Sequence, residues 1–543
     1  MRKPYGTLWI LTLLSALFLS LPWLVGGFGP LMLFALTPLL AAERVASQNG
    51  VRRFWYWHYS CFVLWNAATT FWVCNATVGG GIFAVLANAF QMSLIFGLFR
   101  LSKKAFKGVL PYIFLALAWI AWERRYLVHA QISWPWLVLG NGFAGSLKLI
   151  QWYEFTGTLG GSLWVWACNL ALFGLLVSIL EGTWFRRKPA FRWACGAGTA
   201  LLILLPIFTS LAIWNNYREV SEGKVNVLIV QPNFDPYQKF ESLSQQEQNR
   251  IFIAQADAAL PSGEARADWG GLILAPETFT SDIVLNDPCS SPTLRTFNAF
   301  LQGIPKANLL FGATTYDIYF QSAAPSPLAR RYGDNGWTED HNSAIITDSS
   351  RRFEIFHKSK LVVGTELTPY PKIFVPLDDL LGGVMGRSIG QKEISTLTYH
   401  AADSSTIPFG CAVCYESVYP EYCTGYVRKG ARFMTIITND AWWGDTPGYR
   451  QHASYASLRA IELRRDIARC GNTGISGVIN QRGEYLSRSN WWKRESLSGE
   501  VNLSSELTFF AKHGDLAGKI CTAAFLLMLL AGAPLLVFRK KKY

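Results

Sequence analysis

Apolar residues follow two regimes along this chain. Up to about residue 216 they come in unbroken runs, at 7–23, 27–43, 54–76, 80–100, 109–124, 160–182 and 191–214, and one more run lies at 517–538. Each has the length that crosses a bilayer as a helix, about 17 to 25 residues. Between the last two runs the pattern changes. Short β-favouring stretches at 225–234, 271–275, 308–317, 344–347, 353–356, 409–413, 433–438 and 474–480 alternate with segments of helical periodicity at 242–260, 291–303 and 448–468. Strand, helix, strand is the signature of an α/β domain. The pattern therefore predicts a polytopic protein of eight membrane helices with one α/β domain inserted before the last. Its expected divisions are 1–216 (seven spans), 217–515 (the inserted domain) and 516–543 (the eighth span and a basic tail). Within the domain, 369–390 is long, apolar and glycine-rich, and reads as a flap.

Charge orients the spans. Arg2 and Lys3, then Arg44, Arg52 and Arg53, then Arg100, Lys103, Lys104 and Lys107, then Arg186, Arg187, Lys188 and Arg192 occupy alternate connections, and RKKK at 539–542 joins them. Basic connections mark the cytoplasmic side. Both termini are expected there and residues 217–515 on the periplasmic side, with Arg124 and Arg125 an exception. The net charge of +13 among 543 residues is then mostly topology. Nucleic-acid binding, the other reading of a basic chain, would need basic and aromatic residues interleaved on one face. The first run has no convincing small-residue cleavage site after it and reads as a retained helix. Almost no ionisable residues fall within the runs, which argues against a transport path.

Five of the ten cysteines lie in the runs; Cys289, Cys411, Cys414, Cys423 and Cys470 lie in the domain. Cys411 and Cys414 form a C-x-x-C, but three residues apart on a strand they face opposite ways, and no second pair completes a metal site. No metal and no cofactor are expected.

Candidate chemistry sits at strand ends, where α/β folds gather ligands. The run 409–413 stops at Cys414, and the polar segment from Glu416 could open a helix whose dipole would favour the thiolate. Glu277 follows the 271–275 strand. Lys358 and Lys360 share one face after 353–356, with His357 on the other. A thiol nucleophile needs a base, and its oxyanion needs a donor; Glu277 and Lys358 can supply them. His341 and His452 lack a supporting context. G-x-S-x-G, H-E-x-x-H and a P-loop are absent.

The order Glu277, Lys358, Cys414, in the contexts APET, HKSKLV and CYESVYPE, resembles the Glu-Lys-Cys triad of the nitrilase, or carbon–nitrogen hydrolase, superfamily. With GTELTP, TNDAWWG, SLRAIELRR and the eight spans, the chain is similar to the apolipoprotein N-acyltransferase family. That resemblance implies an αββα sandwich and a two-step transfer. Cys414 takes an acyl group from a membrane phospholipid as a thioester, then passes it to the α-amino group of a diacylglyceryl-modified N-terminal cysteine of an apolipoprotein. It implies Glu277 as base, Lys358 and a backbone N–H near Tyr415 as oxyanion donors, and Glu366 in a supporting role, with Glu416 structural. Tyr237, Trp442 and the 369–390 flap are candidates for the acyl-chain mouth. An inner-membrane monomer is expected. The lysine is followed by Gly364-Thr365-Glu366 instead of the usual aromatic-Gly-Glu, and Lys360 is the alternative lysine. The rival reading is a membrane-anchored amidase that uses water as acceptor.

Overall fold

The structure, a computed structural model, describes residues 4–380 and 382–540. Arg2, Lys3 and the Lys541-Lys542 end of the basic tail lie outside them. The chain forms two compact units: Met1–Ala130, Trp134–Tyr217 and His513–Tyr543 make one, and Gln131–Ser133 with Arg218–Lys512 the other.

The first unit is helical. Among the described residues, six segments are long and apolar enough to cross a membrane: Tyr5–Leu24, Gly29–Gln48, Val78–Ala105, Tyr153–Leu180, Pro189–Asn216 and Leu516–Leu535. The other two expected spans are helices as well, but Trp55–Thr70 has only 16 residues and Leu110–Val128 carries Glu123, Arg124 and Arg125 near its end. Contrary to expectation, ionisable side chains are buried within these helices. Glu43 pairs with Lys103 and with Arg100 at 3.4 Å, and His58 Nδ1 lies 2.7 Å from Ser93 Oγ. One Glu123 oxygen accepts from Trp119 Nε1 at 3.1 Å and from the Leu139 N–H at 2.9 Å. These contacts join helices and turns to one another, so they are accounted for as packing ties. Asn169 does the same, donating to Met32 O and accepting from the N–H groups of Leu36 and Thr37.

The second unit contains two sheets. The larger runs in the order Glu495–Asn502, Lys224–Gln231, Leu272–Leu274, Asn308–Tyr319, Gly336–Asp348, Arg330–Tyr332, with Thr280–Val284 and Phe353–His357 paired off that path. The smaller runs Gly477–Ile479, Ile467–Gly471, Met434–Thr438, Thr406–Val413, Leu397–His400, and its three central strands are parallel. Alternation along each strand decides what packs where. Val225, Val227, Ile229, Leu272, Leu274 and Leu310 share a core with Phe409, Cys411, Val413 and Ile436 from the other sheet. Leu228, Val230, Ile273, Leu309 and Phe311 point the other way, onto Phe252 and Phe297 of the helices Gln245–Ala259 and Pro292–Gln302. On the smaller sheet, Pro420–Arg428 and Pro447–Leu463 contribute Tyr426, Ala456 and Ala460. The arrangement is two sheets face to face with helices packed on them.

Three expected elements differ. The 242–260 helix is preceded by a separate short one, Pro236–Glu241, and begins at Gln245, where Ser244 Oγ accepts from the Glu247 N–H. The 448–468 helix stops at Leu463, because Arg464 turns left-handed (φ +47°) and Ile467–Gly471 pairs with Met434–Thr438. The flap contains the helix Pro371–Leu380, which exposes Ile373, Leu377 and Leu380, while Asp378 turns inward to Arg387.

Candidate active site

Cys414 is the residue immediately after the strand Thr406–Val413, and it holds a left-handed backbone, φ +52°. The next element is a five-residue 3-10 turn, Cys414–Val418, and the first helix begins only at Pro420. The expectation of a helix dipole lowering the thiol pKa therefore fails. Burial and the neighbouring Glu277 charge push the Cys414 thiol well above its usual range, against the pull of Lys358. The resting group is a protonated thiol that must lose its proton as it reacts.

Glu277 follows the strand Leu272–Leu274, and its backbone crosses Gly312, where an added Cβ would lie 2.5 Å from the Glu277 Cα. Its Oε1 accepts from Lys358 Nζ at 3.0 Å and Asn342 Nδ2 at 2.8 Å, and its Oε2 from the Asn439 N–H at 3.1 Å. Glu366 Oε1 accepts from the same two side chains, at 2.8 and 2.6 Å, and its Oε2 from the Val362 N–H. Lys358 thus sits between two carboxylates at 1% exposure. Burial opposes its charge, but Glu277 and Glu366 outweigh that and hold it well above the ordinary lysine range. Lys360, the alternative, instead lies over the rings of Tyr419 and Tyr422 at 5.2 and 5.8 Å.

Glu416 clamps two segments together. Its carboxylate accepts from the N–H groups of Val413, Ser359 and Lys360 and from the hydroxyls of Tyr422 and Tyr426. It joins the end of the Cys414 strand to the residues just after Lys358. Tyr415 and Tyr419 are tied to a segment the sequence did not single out: the Tyr415 hydroxyl donates to Ser133 O at 3.1 Å, and the Tyr419 hydroxyl lies 2.8 Å from Ser133 Oγ. Tyr237, 60% exposed, meets Trp442 edge to face at 5.8 Å.

Asn439, in TNDAWWG, is one of the polar strand ends that pointed to a site, but sequence reasoning missed Asn342, which lies in the middle of the strand Gly336–Asp348 and carries no distinctive signal there. It also missed Lys239, buried and donating to Thr278 O; burial pulls its amine down to about 8. His452, set aside for lack of context, is fully buried beside Asp440 and Arg469. The potential ligand atoms of Cys414, Asp440 and His452 lie within 4.8 Å of one another. They suit a metal poorly, since Asp440 Oδ1 is 2.8 Å from His452 Nδ1 and its Oδ2 holds the Arg469 guanidinium at 2.8 Å. A dication there would have to displace a fixed cation.

A face-to-face pair of sheets with a thiol, a carboxylate and a lysine at their strand ends is the setting of a carbon–nitrogen hydrolase, and the model of that family matches residues 313–506. A second family model, the apolipoprotein N-acyltransferase N-terminal domain, matches residues 15–171. The apolipoprotein N-acyltransferase of Chlorobaculum tepidum is 28% identical over 534 residues, covering 96% of this chain and 95% of its own. That of Geobacter metallireducens is 25% identical over 552 residues, covering 98% and 96%. Among solved structures, Saccharomyces cerevisiae Nit3, of the nitrilase superfamily, aligns with 53% of this chain and 93% of its own at 14% identity and a TM-score of 0.35. Along nearly its whole length the chain is similar to apolipoprotein N-acyltransferases, and it is a multi-pass membrane enzyme.

Proposed function

We propose that this enzyme moves a fatty acyl chain from a membrane phospholipid to the α-amino group of a diacylglyceryl-modified N-terminal cysteine, through a thioester on Cys414. The observation that supports the site most is the convergence of one thiol, one carboxylate and one lysine, buried just past the ends of strands from both sheets, with the partly buried Glu366 on the same lysine.

As the Cys414 sulfur bonds to the ester carbonyl carbon, Glu277 takes the thiol proton. The carbonyl oxygen becomes an oxyanion facing Lys358 Nζ and a backbone N–H near Tyr415. Collapse breaks the carbon–oxygen bond to the lysophospholipid, whose oxygen receives the proton from Glu277. In the second half, the acceptor amine attacks the thioester and loses a proton to Glu277. Collapse then releases Cys414, and the proton returns to its sulfur. Glu366 balances the lysine charge throughout, and Tyr415 and Glu416 hold the nucleophile turn. The two half-reactions share one site, so ping-pong kinetics follow.

Eight spans, both termini cytoplasmic and the Arg218–Lys512 block periplasmic are part of this reading, as is a monomeric enzyme. The alternate basic connections support the orientation. We assign Tyr237, Trp442 and the exposed apolar side of Pro371–Leu380 to the acyl chains, whose exposure to water would cost about 0.8 kcal/mol per CH₂. The rival amidase reading leaves the helical unit without a purpose beyond anchoring, which one span would provide.

The test uses purified enzyme, a phospholipid with a labelled acyl chain, and a diacylglyceryl cysteinyl peptide. Label is expected on the peptide amine and is lost when that amine is acetylated beforehand. Hydrolysis of small amides without any transfer would favour the amidase.

A further inference from the structure

The Cys414 carbonyl is anchored by two side chains. Ser417 Oγ donates to it at 2.7 Å, and His452 Nε2 lies 3.1 Å from it and 3.1 Å from Ser417 Oγ. A carbonyl has no hydrogen to give, so Nε2 carries one. The other ring nitrogen is 2.8 Å from Asp440 Oδ1, which Thr438 Oγ1 also reaches at 2.7 Å, and Asp440 Oδ2 receives Arg469 Nη2 at 2.8 Å. His452, Asp440 and Arg469 all have zero exposure. The edge of the Trp443 ring closes against the imidazole at 5.5 Å. A fully buried chain of charge-assisted bonds therefore ends on one backbone oxygen.

That oxygen belongs to a residue in left-handed conformation, a state that persists only where the surroundings over-determine it. The Cys414–Tyr415 peptide is planar and trans. Its C=O and N–H consequently point to opposite sides, and fixing the oxygen fixes the direction of the Tyr415 N–H.

We propose that His452, held by Asp440 and Arg469, is a positioning residue that sets the oxyanion donor by anchoring the Cys414 carbonyl. The proposal rests on the acyl-transfer reading above. It gives His452 no share in taking the thiol proton, and that separates the two roles experimentally. Attack on an ester develops an oxyanion, whereas alkylation of the same sulfur by iodoacetamide does not.

The experiment uses the full-length enzyme with Cys289→Ser to remove the exposed thiol, and measures both the rate of acyl-enzyme formation from phospholipid and the rate of Cys414 alkylation. His452→Leu is expected to slow acylation roughly 30- to 300-fold, as loss of an oxyanion donor does, while alkylation stays within about threefold. His452→Gln, which can still donate to the carbonyl, is expected to recover about tenfold of that loss. Should the leucine variant fail to fold, Ser417→Ala carries the test, with acylation about tenfold slower and alkylation unchanged. Equal losses in both reactions would mean that His452 acts on the sulfur itself, and undiminished acylation would mean that the anchor is irrelevant; either overturns the proposal. A parent enzyme that forms no thioester at all overturns the acyl-transfer reading instead.

Discussion

Replacing Lys358 by methionine removes the cation between Glu277 and Glu366 at nearly constant volume. Both Oε1 atoms lie within 3.0 Å of Lys358 Nζ and within 2.8 Å of Asn342 Nδ2. They are thus no more than roughly 6 Å apart, and at an effective dielectric near 20 their repulsion is about 3 kcal/mol. Breaking a buried pair by removing one partner costs about 3–5 kcal/mol, a consistent figure, which corresponds to a fall of about 6–10 °C in Tm for a domain of this size. The pH dependence carries the sign. In the parent, the lysine pKa is raised in the fold, so its stabilisation is complete at pH 7 and is lost only as pH climbs past the ordinary lysine range. The variant lacks that cation, so the deficit is expected throughout the pH range in which the parent lysine is charged. Thermal unfolding in detergent, followed by tryptophan fluorescence from pH 4.5 to 8, reads both. A deficit that is absent, or confined to one end of that range, would refute the reasoning.

Cys411 packs between the sheets, and burial pushes its thiol up to about 12; Cys411→Ala is expected to keep acyl-enzyme formation and to lose about 1 kcal/mol of stability in a melt. Glu416→Ala strips the acceptor from three N–H groups and two hydroxyls. At about 1–3 kcal/mol for each donor left buried, little folded protein should survive size-exclusion chromatography. Because burial and Glu277 hold the Cys414 thiol high, its alkylation in a Cys289→Ser enzyme is expected to keep rising beyond about pH 9. A plateau near pH 7 would contradict that environment.

Much of this was visible in the sequence because it depends on local pattern. The spans announce themselves by length, and Glu277 and Cys414 by abrupt polarity at strand ends. What stayed hidden is set by tertiary context. Ile467–Gly471 continues the periodicity of the preceding helix, and only the left-handed Arg464 and its parallel neighbour make it a strand. Glu495–Asn502 is polar on alternate positions and pairs at the sheet edge. The Cys414 turn looked like a helix start because a polar segment follows from Glu416, but the helix begins only at Pro420. The thiol environment was misjudged with it, since a dipole was assumed where burial, and after it the Glu277 carboxylate, raise the thiol. His452, Asp440 and Arg469 are separated by 12 and 17 residues or more along the chain, and no spacing rule joins them. Glu43 and Glu123 lie close to the polar ends of their runs, where composition hides them.

Intact-protein mass spectrometry of the purified enzyme after incubation with phospholipid tests the central claim most directly, with Cys414→Ser measured alongside. The account predicts a mass increase of one fatty acyl group that neutral hydroxylamine removes and the serine variant does not give in hydroxylamine-labile form. A folded parent enzyme that gains no acyl group from any phospholipid, or gains it equally as a labile adduct with Cys414→Ser, would contradict it.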